Sequence, residues 1–521
     1  MPENALPIAR EHERVAQRPN AAALVFSVAL SLAFALLAGR HLGALAWEYD
    51  EGWYSLAGRF LNQGRRPFVD FAYMQPPLHP YLLAVSAQIF GDSVFGFRML
   101  SLISLGGTGI VLFLLVRPAL GVLAAIFAQA LFLFSTTQLH ALAAVPDTPM
   151  MLLAMFGTLL LLHGTTTASL CAAAIAFVAA LFVKPTCLLM ILVAAGSLLV
   201  DGRYRRFLQL AATGVAASVL ALMLVIYASD GVFLEVLRYQ LIDRLGTRRA
   251  TMWTISSGFT DFSVHAELDG ARDLALFAAK DFLGYPTRSA PLWIAIASLA
   301  GLPLWLAAFR RNRALCTFVL LAPAAFAFVN LVLMDFVSAK YFVPFPAFVA
   351  LLSAALVWGA CRVVPRAVML GGVLAAVTAL AVPFVDALSQ GADPWYGERA
   401  GYLAAQPGEI ASFTPMFFLS SGREPGCAMW NPALSYGPFG QAMLAEGMAR
   451  FRVSDADLVA CLRSDPDARM LVDFWFYYFT RGRGDLNRYL REEGARQIVF
   501  LSPDAQRRWS NRFEDIGGVQ R

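Results

Sequence analysis

The sequence contains few charged residues. Asp, Glu, Lys and Arg make up 15% of its 521 residues, whereas 58% are hydrophobic. Soluble domains of ordinary composition carry about 25% charged and about 45–50% apolar residues. A soluble core cannot absorb that excess of apolar side chains. The scarcity of charge therefore excludes an ordinary soluble protein.

Lysine, cysteine and histidine are also scarce. The 41 basic residues include only three lysines, Lys184, Lys280 and Lys340, and the six cysteines and six histidines are scattered. No HExxH, paired CxxC or glycine-rich phosphate loop occurs, so zinc chemistry and the use of nucleotide sugars lack support. A divalent cation is compatible with the acidic residues but is not implied by them. The surplus charge of +5 is spread over loops, which gives no indication of a nucleic-acid partner.

Apolar runs, by contrast, are abundant, and they approach or reach the length of about 17–25 residues that crosses a bilayer as a helix. They predict an all-α polytopic membrane protein with about 11 transmembrane helices. The predicted spans are 21–39, 95–116, 119–137, 148–163, 169–183, 185–200, 207–229, 289–308, 314–334, 343–359 and 367–388.

The arginines predict the orientation of these spans, because short cytoplasmic loops are enriched in basic residues. With a cytoplasmic tail (1–20) and an uncleaved first span, the first loop (40–94), the loop 230–288 and the chain from 389 onward lie outside. The loops predicted to lie inside then hold Arg117, Arg203, Arg205, Arg206, Arg310, Arg311, Arg313, Arg362 and Arg366.

The last part of the chain, 389–521, has the sequence pattern of a small soluble α/β domain. Strand-like "EIASF" (409–413) and "RQIVFLS" (496–502) are accompanied by helix-like "GDLNRYLREEG" (484–494). Cys427 and Cys461 both belong to this domain. In an oxidising compartment they are candidates for a disulfide, and two unpaired thiols are the alternative.

The first outer loop opens with the acidic and aromatic segment "EYDEGWYSLAGRFLNQG" (48–64). Its large apolar residues recur at helical spacing, which predicts a helix lying in the membrane interface with an aromatic face. Arg59, Asn62 and Gln63 are expected on the opposite face, away from the membrane. The residues of the aromatic face are Tyr49, Trp53, Leu56 and Phe60.

Charged residues from three separate segments are predicted on the same outer side. Asp50 and Glu51 begin the interfacial helix and Asp147 begins a span, so capping of a helix start is a sufficient explanation for all three. Lys184 separates two spans, where snorkelling to the interface also explains it. Their convergence on one side nevertheless suits the transfer of a group from a phosphate-linked lipid to a hydroxyl.

Four motifs give the sequence a resemblance to a known family. "EYDEGWY", "YMQPPLHPYLLA" (73–84), "FGDSVFGFRMLSLIS" (90–104) and "AVPDTPM" (144–150) follow the order and spacing of the protein-mannosyltransferase-like and aminoarabinose-transferase-like glycosyltransferases of the GT-C fold. The resemblance covers residues 20 to 200 well. Further along, only the hydropathy and the turn "AKYFVPFP" (339–346) resemble the family.

This resemblance implies an inverting glycosyltransferase of the bacterial inner membrane. Such an enzyme takes a hexose or pentose from a polyprenyl-phosphate donor in a cavity open to the periplasm and places it on a hydroxyl of a cell-envelope lipid or glycan. The resemblance implies a membrane-embedded monomer, a cytoplasmic N-terminus and a periplasmic C-terminal domain.

The resemblance also assigns roles to residues. Asp50 matches the first-loop acid and is expected to act as the base or to orient the acceptor, while Glu51 and Asp147 support it. The leaving phosphate gains negative charge, so cations aimed at it stabilise the transition state. The candidates are Lys184, Lys340 and Arg98, although a lipid contact explains Arg98 and an ion pair with Asp335 explains Lys340 equally well.

The residues expected to contact substrate lie beside these charged groups. Gln75 stands where the aminoarabinose-transferase branch tends to carry lysine, so the donor sugar stays open. A rigid proline turn is the alternative explanation for "QPPLHP". The full set of candidates is Tyr54, Tyr73, Gln75, His79 and Tyr341.

Two rival functions remain. A protein O-mannosyltransferase differs in its acceptor, although such relatives usually carry a large domain inserted in a loop. A lipid or polysaccharide transporter without transferase activity is the second rival. Transporters tend to show internal repeats and polar residues near the middle of the membrane, and neither feature is evident in this sequence.

Overall fold

The fold is that of a computed structural model. It describes residues 21–45, 49–135, 138–238, 253–256, 265–268, 299–309, 312–328, 336–338, 344–390, 401–402, 404–429, 436, 446–473, 476, 480, 484–500, 506 and 509. The predicted site residues Lys340 and Tyr341 and the tail 1–20 lie outside the described residues.

The described residues between 21 and 390 are predominantly helical. Among the described residues, four helices are long and apolar enough to cross a membrane, Ala21–Gly39, Val94–Leu120, Tyr204–Ala228 and Arg366–Ser389, and shorter apolar helices lie between them. The helices are α1 (Ala21–Gly39), α2 (Tyr49–Asn62), α3 (Leu78–Phe90), α4 (Val94–Leu120), α5 (Val122–Leu133), α6 (Gln138–Ala141), α7 (Asp147–His163), α8 (Thr167–Val183), α9 (Leu188–Val200), α10 (Tyr204–Ala228), α11 (Val232–Arg238), α12 (Leu302–Ala308), α13 (Arg313–Phe328), α14 (Phe345–Ala360) and α15 (Arg366–Gln390).

The predicted all-α membrane part is confirmed. Each of the eleven predicted spans overlaps a described helix, and the first one coincides with α1. A 3₁₀ turn, Pro185–Cys187, precedes α9. The most apolar stretches of α10 and α15 are only 6% and 11% buried. Since apolar helices that protein does not cover need an apolar solvent, these two helices face lipid.

Helices α4, α5, α7 and α8 form the packed centre of this bundle. Most of their buried apolar side chains belong to one continuous cluster, which Phe34 of α1 and Trp305 of α12 also join. Both of these large side chains are fully buried. The packed centre fixes the positions of the helix ends near Arg98 of α4, Asp147 of α7 and Lys184 after α8.

The first loop contains two helices, α2 and α3, as the spacing of its apolar residues predicts for α2. Of the residues expected on the exposed face of α2, Asn62 and Gln63 are exposed. The expectation is wrong for Arg59, which is only 7% exposed. Phe417 and Phe418 of the C-terminal domain are fully buried in one apolar cluster with α2 residues such as Phe60. The C-terminal domain therefore covers α2 on the side that was expected to face away from the membrane.

A three-stranded sheet that the sequence patterns did not predict lies between the helices. Its strands are β1 (Trp253–Ser256), β2 (His265–Leu268) and β3 (Phe336–Ser338). The order is β2-β1-β3, with β1 antiparallel to β2 and parallel to β3. The sheet joins the long loop after α11 to the segment before α14.

The C-terminal part contains the predicted α/β structure. A parallel sheet has the order β4-β5-β6, with strands β4 (Ile410–Ser412), β5 (Arg469–Val472) and β6 (Ile498–Phe500). Helices α16 (Pro415–Ser421) and α17 (Asp455–Ser464) follow β4, and α18 (Asp485–Glu492) follows β5. The strands in "EIASF" and "RQIVFLS" and the helix in "GDLNRYLREEG" are thereby confirmed. Cys427 and Cys461 form a disulfide.

Candidate active site

The first turn of α2 presents its acidic pair to different surroundings. Glu51 is 1% exposed, whereas Asp50 is only partly buried. Asp147 is also buried, at 2% exposure. Asp50 is therefore the one of the three candidate acids that solvent or a substrate reaches most readily.

Glu51 forms a buried ion pair with Arg98 of α4. The Nε and Nη2 atoms of Arg98 donate to the two carboxylate oxygens of Glu51 at 2.6 and 2.7 Å. The backbone N–H of Ala144 donates to the same carboxylate at 2.9 Å. Nη1 of Arg98 donates to the carbonyls of Leu42 and Leu45. Together these hydrogen bonds tie the start of α2 to the turn after α1, to α4 and to the segment before α7.

Asp147 and Lys184 form a second buried ion pair. Nζ of Lys184 lies 2.8 Å from both carboxylate oxygens of Asp147. The lysine is 5% exposed, so snorkelling to the membrane surface does not explain it. Asp147 is the first residue of α7, and Lys184 caps the C-terminal end of α8. The tight packing of these two helices brings together two residues that the sequence predicted only to share one side.

Aromatic and polar residues of the first loop form a cluster near these pairs. Nε2 of Gln75 donates to the Tyr54 hydroxyl at 2.7 Å. The ring of His79 stands edge-on to Tyr54, with 4.9 Å between ring centroids. Trp53 stacks on Tyr54 at 3.8 Å and contacts Tyr73 at 5.5 Å. Four of the five predicted substrate-contact residues are thus gathered in one place.

This cluster contains polar atoms that are buried without a partner in the described part of the chain. They are the Tyr73 hydroxyl, Oε1 of Gln75 and both ring nitrogens of His79. A buried polar group that makes no hydrogen bond costs about 1–3 kcal/mol. Such a concentration is typical of a site whose hydrogen-bond partners arrive with a ligand.

Protonation states in the cluster follow from burial. Burial, with a smaller contribution from the charge of Lys184, lowers the pKa of His79 to about 3. The imidazole is therefore neutral near pH 7, with one donor and one acceptor nitrogen. Burial also raises the pKa of Tyr73, which keeps its hydroxyl protonated. The effect of Lys184 on His79 links the cluster electrostatically to the Asp147–Lys184 pair.

Trp53 is a site residue that was not predicted as one. The spacing of apolar residues in α2 identified it only as part of an aromatic face. Its position between Tyr54 and Tyr73 depends on the fold of the segment 63–77, which carries no helical or strand periodicity. The signal available in the sequence was its place inside the "EYDEGWY" motif.

One group of metal-ligand type occurs among the described residues, and it lies in the C-terminal domain. Glu409, Cys427 and Cys461 bring their side-chain atoms within 4.8 Å of one another. The two sulfurs are joined in the disulfide, and metals are bound by thiolates. The group is therefore a poor metal site.

One protein-family model matches part of the chain. The family model for dolichyl-phosphate-mannose-protein mannosyltransferase matches residues 74–228. The matched segment contains Gln75, His79, Arg98, Asp147 and Lys184. No curated protein matches the sequence.

Solved structures resemble most of the chain. ArnT from Cupriavidus metallidurans in the apo state is 15% identical with a TM-score of 0.57, over 88% of this chain and 94% of that chain. The same protein bound to undecaprenyl phosphate is 16% identical with a TM-score of 0.58 over the same shares. The Archaeoglobus fulgidus oligosaccharyltransferase in complex with Zn and sulfate is 15% identical with a TM-score of 0.52, over 84% of this chain and 68% of that chain. The predicted GT-C fold is thereby confirmed.

Proposed function

We propose that this protein is an inverting glycosyltransferase that moves a sugar from a polyprenyl-phosphate donor to a hydroxyl of a cell-envelope lipid or glycan. The observation that carries the proposal is the meeting of two buried ion pairs with a partly buried acid and an unsatisfied polar cluster at one end of the helical bundle. The related fold of ArnT, which has been crystallised with undecaprenyl phosphate, supports the donor class.

Asp50 is the proposed base. In a single displacement the acceptor oxygen forms a bond to the anomeric carbon, while the bond from that carbon to the phosphate oxygen breaks. The bonding electron pair leaves with the phosphate, and the hydroxyl proton passes to the Asp50 carboxylate. Asp50 lies in the first turn of α2, where a carboxylate interacts favourably with the helix dipole.

Lys184 is the proposed partner of the leaving phosphate. The Asp147 carboxylate fixes the ammonium group in position and compensates the cost of burying its charge. A cation held in this way needs no reorganisation when the phosphate gains negative charge, and this is how preorganised charges accelerate such reactions. Lys340 remains a predicted second cation and Tyr341 a predicted substrate contact.

Glu51 and Arg98 are proposed to orient Asp50 rather than to touch the donor. Their polar atoms already engage each other and three backbone groups. The pair holds the first turn of α2 against α4, so the neighbouring Asp50 has a defined direction. Tyr54, Tyr73, Gln75 and His79 are proposed to bind sugar hydroxyls, which offer both donors and acceptors to unsatisfied groups.

The proposed location is the bacterial inner membrane with the site open to the periplasm. The disulfide in the C-terminal domain supports it, since disulfides persist in oxidising compartments such as the periplasm. Protein acceptors form the alternative, which the mannosyltransferase family model over residues 74–228 favours.

The test is reconstitution of the purified protein in liposomes. A panel of undecaprenyl-phosphate sugars is offered with envelope lipids, glycans or peptides, and products are identified by mass spectrometry. We expect release of undecaprenyl phosphate and glycosylation of one acceptor class. Asp50→Asn should abolish transfer, whereas Asp70→Asn, an exposed acid of the same loop, should not. Transport of a donor without any transfer would refute the proposal in favour of the transporter.

A further inference from the structure

The C-terminal domain contacts the turn of α2 that carries Asp50. A Cβ atom added to Gly52 would lie 2.6 Å from the backbone nitrogen of Met416 and 3.0 Å from the carbonyl carbon of Pro415. Backbone atoms cannot move aside as side-chain ends do. Helix α16 therefore rests directly on α2, two residues from the proposed base.

Arg59 fixes this contact about two turns further along α2. Its Nη1 donates to the Phe418 carbonyl at 2.9 Å and its Nη2 to the Leu419 carbonyl at 3.3 Å. These carbonyls belong to the last turn of α16, where backbone acceptors lack helical partners. Nε of Arg59 donates to the Asp92 carboxylate at 2.9 Å. One side chain thus joins α2, the segment before α4 and the C-terminal domain.

The geometry of Arg59 is that of an anchor rather than of a surface charge. It is 7% exposed, and the planar guanidinium serves three acceptors at once in a way that a lysine cannot. Nearby contacts are peripheral by comparison. Arg65 and Gln63 reach Glu424 at 2.8 and 2.7 Å, but the Arg65–Glu424 pair is 30% and 48% exposed.

We propose that Arg59 is a positioning residue, which holds the C-terminal domain on α2 so that the docked domain fixes the orientation of the Asp50 turn. The inference rests on the proposed transferase function. On this proposal the C-terminal domain contributes to the geometry of the active site and is not a functionally independent domain. Docking then controls kcat, because a displacement of about 1 Å at a reacting group costs roughly a hundredfold in rate.

The first test compares Arg59→Ala with Arg65→Ala in the full-length protein. Arg59→Ala should lower kcat by about a hundredfold with little change in the KM for the donor lipid. Arg65→Ala should stay within about twofold of the wild type, since exposed ion pairs contribute little. Gly52→Ala should reproduce the kcat loss, because its methyl group forces α16 away from the same turn. Unchanged kcat in Arg59→Ala overturns the proposal.

A cross-link separates positioning from general damage. Gln63→Cys and Glu424→Cys place thiols on facing exposed side chains, in a background where the partly buried Cys171 and Cys361 are alanine. A short bismaleimide should restore most of the turnover lost in Arg59→Ala. A cross-link that forms on a well-folded protein without restoring turnover overturns the proposal.

Hydrogen exchange gives a readout that does not need a substrate. Arg59→Ala should speed amide exchange in 50–58 and 415–421 and leave α5 unchanged. Equal exchange in the variant and the wild type overturns the docking role, even if transfer itself is never observed. The opposite outcome is also informative. If the wild-type protein transfers no sugar but Arg59→Ala shows the faster exchange, the proposed function is refuted and the docking role is supported.

Discussion

The buried pair of Asp147 and Lys184 allows stability and function to be separated at the scale of residues. Removing one partner of a buried ion pair leaves an uncompensated charge and costs about 3–5 kcal/mol. Lys184→Met alone should therefore lower the unfolding temperature in detergent markedly. The double variant Asp147→Leu/Lys184→Met should recover most of that stability, because it leaves no buried charge.

The same double variant should remain inactive if Lys184 acts on the leaving phosphate. Arg463→Ala is the control, since its pair with Glu493 is 55% exposed on both sides and is worth about 0–1 kcal/mol. Near-normal turnover with a donor lipid in the stable double variant would show that Lys184 has a structural role only.

Sequence reasoning found these residues but not their partners. Hydropathy and arginine distribution predicted that Asp147 and Lys184 lie on the same side, because Asp147 begins an apolar span and Lys184 separates the next two spans. Their direct pairing depends on how α7 packs against α8, which periodicity does not specify. For the same reason Arg98 was predicted at the phosphate, whereas the structure pairs it with Glu51, 47 residues earlier in the chain.

At the scale of elements, α17 offers a test of local stability with a defined pH dependence. Ser454 and Asp457 form a capping box, in which each side chain accepts from the other's backbone N–H. Hydrogen bonds from Ser454 hold the pKa of the Asp457 carboxyl below its usual value. The carboxylate is exposed, so the effect on stability comes from the cap as a whole.

Ser454→Ala should destabilise α17 by about 1 kcal/mol at neutral pH. Because the pKa of Asp457 is lowered in the folded state, the charge-dependent part of this contribution is complete above the usual aspartate pKa of about 3.9. It is lost as the pH falls through the lowered value. Hydrogen exchange of α17 amides in the full-length protein measures the difference.

Ser464→Ala is the matched control, because this exposed serine at the other end of α17 donates only to the Cys461 carbonyl. We expect a smaller effect that does not depend on pH. A Ser454→Ala effect that stayed constant from pH 7 down to pH 3 would contradict the capping account.

Elements differ in how well the sequence predicts them. Strands β4 and β6 and helix α18 were found because their short apolar or amphipathic runs are bounded by polar turns. Strands β1 and β3 were missed, since they pair 82 residues apart at Thr254 and Phe336 and a short strand without a local partner gives little signal. The burial of Arg59 on α2 was missed because its cover, α16, begins more than 350 residues later.

For the whole molecule, the contact between α2 and the C-terminal domain restricts the membrane topology. Arg65 in the first loop reaches Glu424 in the C-terminal domain at 2.8 Å, so both parts lie on the same side of the membrane. The number of crossings between them must then be even. Spans two to eleven of the predicted set supply ten, which agrees with this requirement without using any charge rule.

Cysteine labelling of intact cells tests the direction of this topology. Asp70→Cys in the first loop and Asp467→Cys in the C-terminal domain replace exposed residues and should react with a membrane-impermeant maleimide. Arg205→Cys, at the exposed start of α10, should react only after the membrane is opened. The reverse labelling pattern would mean that the protein has the opposite orientation in the membrane. Labelling of only one of residues 70 and 467 in intact cells would contradict the docking of the domain on α2. Because the proposed base and the docked domain share one side, the same labelling decides on which side of the membrane the sugar is transferred.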